Sequence, residues 1–161
     1  MEQNDDIDIL LTLNPNGWSS CFLFVRNKVF DFAITHVFSD PYLDLIQALA
    51  NLIRGEKDTT FYWYCEQGGY KFEIKKLMTQ QDTVIVSINE FSELFYSEPK
   101  EYELIVTFEI KLKQLITIFY LQLQKTYFLL RDKQFSENRA KNFPFQEFHK
   151  FEKLVKPFLG L

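Results

Sequence analysis

The apolar residues of this chain change their spacing near residue 109, and that change restricts the fold more than any other feature. Before it, they fall in short β-branched and aromatic runs separated by turn formers; after it, they recur at three- and four-residue intervals. The first pattern is that of antiparallel strands and the second that of amphipathic helices.

Ile7 to Leu13 reads as a strand ending at Asn14-Pro15-Asn16-Gly17, a dense set of turn formers. Trp18 to Val25 and Val29 to Val37 flank Arg26-Asn27-Lys28, a hairpin connection in which Asn27 is the candidate for the left-handed conformation. One helix interrupts the strands. It opens at Asp40-Pro41, where a carboxylate can cap free N–H groups and a proline has none to lose, and it stops at Gly55. Between them Tyr42, Leu45, Ile46, Leu49, Leu52 and Ile53 form one apolar stripe. Thr59 to Cys65 and Tyr70 to Leu77 enclose Glu66-Gln67-Gly68-Gly69, whose paired glycines suit a tight hairpin. Thr83 to Ile88 and Tyr102 to Phe108 supply two more strands.

Beyond residue 109, the spacing of Leu112, Leu115, Ile116, Phe119, Leu123, Tyr127 and Leu130 predicts a helix to about Lys133. Its extra apolar residues, Ile118, Leu121, Phe128 and Leu129, predict burial on two sides. A last helix runs from Phe143-Pro144 along Phe145, Phe148, Phe151 and Val155 until Pro157 stops it, and Gln134 to Asn142 reads as a loop or frayed helical end. The expectation is one α+β domain over residues 1–161, in the order βββα-ββββ-αα. A mainly antiparallel sheet of six or seven strands packs against the long helix, with the C-terminal helix alongside.

Charge divides at the same place. Residues 1–109 carry 18 acidic against 8 basic side chains, and residues 110–161 carry 4 against 10. A one-sign surface attracts either another layer of its own fold or an oppositely charged partner. The 18 Phe and 8 Tyr have two competing explanations, interaction surfaces rich in aromatic anchors or a genome poor in G and C.

The start Met1-Glu2-Gln3-Asn4-Asp5-Asp6 is acidic where an export signal is basic. The longest apolar stretch, Phe108 to Leu130, is broken by Lys111, Lys113, Gln114 and Lys125, so no membrane association is expected. Cys21 and Cys65 form no disulfide framework, and a reducing cytoplasm fits them.

The known signatures of catalysis are absent: there is no Gly-rich phosphate loop, no His-Glu-x-x-His, no Cys-x-x-Cys and no Gly-x-Ser-x-Gly. His36 and His149 lie far apart in sequence, on a predicted strand and a predicted helix, so neither metal nor cofactor is expected and the chain is not read as an enzyme. Phe61-Tyr62-Trp63-Tyr64 opposite Tyr70-Lys71-Phe72 resembles a base-stacking platform. Phosphate binding, however, needs concentrated positive charge, which the acidic part containing it lacks, so no nucleic-acid partner is expected.

The acidic and aromatic segment Glu90 to Glu103 is the candidate binding element. Glu90, Glu93, Glu98, Glu101 and Glu103 supply a negative field for a basic protein partner, and Phe95 and Tyr96 supply apolar anchors. Its competing reading is a long connection whose apolar residues tuck under the sheet while its glutamates solvate it.

In size, acidity, β-then-α layout and lack of catalytic motifs, the chain resembles the small bacterial immunity proteins that neutralise toxin domains. The resemblance implies a cytoplasmic, stoichiometric inhibitor that binds a toxin domain, often a basic nuclease. The alternative from another class is a small-ligand protein or unrecognised enzyme with an aromatic-lined cavity between sheet and long helix, with Trp18, Trp63 and Tyr64 as candidate lining. A scaffolding role is the third reading.

Overall fold

The computed structural model describes residues 6–80, 82–92 and 101–161. Strands β1 (Ile7–Asn14), β2 (Trp18–Val25) and β3 (Lys28–Thr35) form one antiparallel meander. Helix α1 (Pro41–Ile53) then leads to β4 (Asp58–Cys65), β5 (Gly68–Lys76), β6 (Thr83–Phe91) and β7 (Glu103–Lys111), a second antiparallel meander. Helices α2 (Leu112–Leu129), α3 (Lys133–Ser136) and α4 (Phe145–Leu159) complete the order.

The α+β class, the seven antiparallel strands and the order of the strands and long helices follow the sequence pattern, with the short α3 and a 3-10 turn over Ala140–Asn142 lying in the stretch read as a loop or frayed helical end. The strands are shared between two sheets because α1 separates β3 from β4, which lie side by side without a ladder between them. Opposite that seam, α2 packs against both β1 and β7. Alternate residues of each strand point inward, among them Leu11, Leu23 and Phe32 from the first sheet and Trp63, Phe72 and Ile88 from the second. Leu115 and Phe119 of α2 close the core, which retains a wholly apolar void of about 10 Å³, room for no more than one water.

Asp40 caps α1 by accepting from the Leu43 N–H at 3.2 Å, and Gly55, at φ 104°, ends it. Packing of α1 on β4 is fixed by the Trp63 indole, which donates to the Pro41 carbonyl at 3.1 Å. The exposed edge of β1 is covered rather than left to pair with another chain. Gln122 Oε1 accepts from the Leu11 N–H at 3.1 Å, Lys125 Nζ donates to the Leu11 carbonyl at 3.0 Å, and Arg139 Nε donates to the Leu13 carbonyl at 2.9 Å.

Several local expectations are corrected. In the β2–β3 hairpin the residue with positive φ is Arg26, at 55°, and not Asn27. Strand β7 continues to Lys111, because Glu109, Ile110 and Lys111 keep pairing with Ile85, Val84 and Thr83, so α2 starts later than its periodicity predicts and ends at Leu129. The side of α2 that faces α4 is made by Tyr120 and Tyr127, whose rings both meet Phe148, whereas Leu121, Phe128 and Leu129 are exposed. Pro157 lies within the last turn of α4, and Gly160, in the left-handed conformation, ends that helix. His36 follows β3 instead of belonging to it. No helix among the described residues is long and apolar enough to cross a membrane.

Candidate functional site

The outward residues of β4 are Thr60, Tyr62 and Tyr64, and Tyr64 pairs with Gly69 of β5, which in turn pairs with Phe91 of β6. This register explains Gly69. A Cβ there would strike the Trp63 carbonyl and sit 3.0 Å from the Phe91 ring, so the absent side chain lets that ring lie across β5. Gly68, at φ 141°, would likewise carry a Cβ into the Phe91 carbonyl. Both glycines therefore belong to β5 and serve close approach, while the hairpin turn itself is Glu66-Gln67.

Phe91 is the centre of an aromatic cluster on this outer face. Its ring centroid lies 6.1 Å from Tyr62, 6.0 Å from Tyr64 and 5.8 Å from Tyr102, and Phe38 extends the row from Tyr64 at 6.3 Å. Lys71 Nζ lies 4.9 Å from the Tyr102 ring centroid, and its bond to Glu73 at 3.1 Å is the main cause that raises its pKa. Phe38 is 60% exposed and Leu104 55%, so apolar surface continues on both sides of the cluster.

The same end of the sheet is acidic. Glu90 and Glu103 face each other across β6 and β7, both exposed, and Glu101 is exposed beside them. Directly opposed like charges destabilise a ladder, and none of the three makes an ion pair among the described residues. Glu93, Phe95, Tyr96 and Glu98 lie outside the described residues.

The three candidate lining residues lie on three different faces. Trp63 is fully buried in the core against Phe61 and Phe72, Tyr64 belongs to the outer face of the second sheet, and Trp18 is half-buried on the outer face of the first. Between α1 and β4 there is instead a surface groove of about 320 Å³, walled by Tyr62, Tyr64 and Phe38 on one side and by Asp44, Gln47 and Asn51 on the other. Burial and the neighbouring Asp40 hold the Asp44 carboxyl above the usual range, and it has no side-chain partner among the described residues. The Ser39 hydroxyl, also in the groove wall, is buried with no hydrogen-bond partner there.

Sequence spacing gave no hint of one further cluster. Ser19 Oγ lies 2.7 Å from His36 Nε2 and 3.1 Å from Tyr42 Oη. A serine beside an imidazole resembles a nucleophile and its base, but Ser19 is 1% exposed and Tyr42 fully buried, so no substrate reaches the pair. Burial lowers the His36 pKa from 6.5 to about 4, and the same cause raises that of Tyr42. No group of three His, Cys, Asp or Glu side chains among the described residues is placed to hold a metal ion. No protein-family model, no curated protein and no solved structure matches this chain.

Proposed function

We propose that this protein is a non-catalytic binding module that docks a basic protein partner on the outer face of the β4–β7 sheet, and that its finer role is that of an immunity-type inhibitor of a basic toxin domain. The observation that carries the reading is the opposed Glu90–Glu103 pair at the end of a sheet whose outer face bears the Tyr62, Tyr64, Phe91 and Tyr102 cluster. A cation brought to that rim relieves a repulsion that the free protein carries, and the aromatic rings, on the other side of the same strands, supply rigid anchors at the same end of the sheet. The interior favours binding at the surface over an enclosed ligand, since its void of about 10 Å³ is far below the roughly 300 Å³ that small-molecule pockets need. The inhibitor role rests on the resemblance in size, charge and layout.

The test begins with capture of the partner from the source cells and continues with its binding kinetics. Replacing Glu90, Glu101 and Glu103 with Gln should slow association and flatten its salt dependence, whereas Tyr62→Ala and Tyr102→Ala should mainly speed dissociation. A partner whose kinetics ignore all five substitutions refutes the docking face. A partner that is not a toxin, or whose activity is unchanged when bound, refutes the inhibitor role.

A further inference from the structure

We infer that the groove between α1 and β4 is a pocket for an arginine side chain of the basic protein partner, with Asp44 as counter-ion and Tyr62 and Tyr64 as the stacking wall. This rests on the docking reading above and names the group that the surface recognises.

The groove offers acceptors and ring faces in the combination that a guanidinium uses. Its one carboxylate, Asp44, stands without an ion-pair partner among the described residues, and no lining residue is basic. The Gln47 and Asn51 side chains project from the same face of α1, one turn apart, so a planar donor can reach two amide oxygens besides the carboxylate. Ser39 adds a buried hydroxyl that has no partner among the described residues. Opposite them, Tyr62 and Tyr64 present rings 6.4 Å apart and inclined by only 21°. Guanidinium carries five fixed donors, is weakly hydrated and stacks on aromatic faces, whereas a lysine ammonium is a compact, strongly hydrated point charge. The volume of about 320 Å³ holds a side chain and part of its backbone, and the groove shares Tyr62 and Tyr64 with the aromatic face, so one partner can cover both.

The experiment titrates the intact protein with N-acetyl-argininamide, following backbone and side-chain amide signals by NMR. The expected result is saturable shifts at Gln47, Ala48 and Asn51 with a dissociation constant in the millimolar range, about −4 kcal/mol. The lysine analogue should bind at least severalfold more weakly, and the citrulline analogue, which has the same shape and no charge, should not saturate. Asp44→Asn should weaken argininamide binding about tenfold. Tyr62→Leu, which leaves the charge in place, should weaken it as well, and thermal melts confirm that each variant is folded. The Glu90, Glu101 and Glu103 to Gln variant should bind argininamide as the parent does, which separates the pocket from the acidic rim. Equal shifts with the citrulline or lysine analogue, shifts that avoid the groove, or an Asp44→Asn variant with parental affinity would overturn the inference, whatever the rim variant does to partner association.

Discussion

Acid should destabilise this protein through His36, and the structure sets the size of the effect. The imidazole is half-buried, its Nε2 sits 2.7 Å from Ser19 Oγ, and its ring meets Tyr42 edge-on with centroids 5.5 Å apart. Burial is the cause that lowers its pKa from 6.5 to about 4. Between those two values the unfolded chain binds a proton that the folded protein refuses, so the stability contributed by neutral His36 is complete above about pH 6.5 and is lost as the pH falls towards 4. A shift from 6.5 to about 4 corresponds to a ceiling of about 3 kcal/mol. The ring keeps part of its hydration, and Ser19 can reverse its hydroxyl to accept from a protonated Nε2 while donating to Tyr42, so an effect of about 1–2 kcal/mol is expected.

Two carboxyls act in the opposite direction. Burial raises the pKa of Asp40 and of Asp44, so each gains a proton more readily in the folded state and adds stability as the pH falls through the carboxylate range. The contribution of His36 is therefore read as a difference. Urea unfolding of the parent and of His36→Gln, at about pH 7 and about pH 4.5, should show the parent losing about 1–2 kcal/mol more than the variant, with equal m-values. Equal losses in the two proteins would refute the assignment, as would an imidazole titration of the native protein with a midpoint near 6.5.

Further consequences follow from single contacts. Gly69→Ala should cost about 1–3 kcal/mol in urea unfolding, because its Cβ meets the Trp63 carbonyl and the Phe91 ring, and it should weaken partner docking by displacing that ring. Gln122→Ala removes the acceptor of the Leu11 N–H on a fully buried residue and should cost about 1–3 kcal/mol; a loss below about 0.5 kcal/mol would mean that water replaces the amide. The Cys21 thiol, pushed up to about 12 by burial and by Asp31, should resist a disulfide reagent in the native protein, while half-buried Cys65 reacts first and both react in urea.

What was legible in the sequence was local. The Asp40-Pro41 start, the Gly55 stop and the stripe between them specify α1 within one stretch of chain, and the alternation from Tyr70 to Lys75 specifies the two faces of β5. Relations across the chain were not legible. Gly69 reads as a turn former until β6 is aligned beside it, and only then does Phe91 become its reason. Periodicity alone extends α2 back to Glu109, because a residue that pairs with a distant strand looks the same as one that begins a helix. The groove joins Asp44 to Tyr62, and the buried network joins Ser19 to His36, across elements whose mutual placement no spacing encodes.

The division of charge finds its structural meaning in where the basic side chains go. The ion pairs among the described residues are local: Glu73 with Lys71 and Lys75 on β5, and Glu152 with His149 and Lys156 on α4. None of them joins the acidic strand region to the basic helical region, although the charge pattern predicts attraction there. The helical region is tied to the strands through neutral acceptors instead, with Lys125 and Arg139 donating to the carbonyls of β1. A backbone carbonyl satisfies a cation's donors without cancelling its charge, so this joint covers a strand edge without neutralising a carboxylate of the strand region. Glu90, Glu101 and Glu103 accordingly keep their negative field at the far end of the second sheet, where all three are exposed and the Glu90–Glu103 pair stands, with its register partner Tyr70, on the opposite side of the strands from Phe91. Reversing the joint tests that account. Arg139→Gln, which can still donate to the Leu13 carbonyl, should cost less than about 1 kcal/mol, whereas Arg139→Leu, which cannot, should cost more. Equal costs would show that the charge of Arg139, and not its donor, holds the helical region to β1.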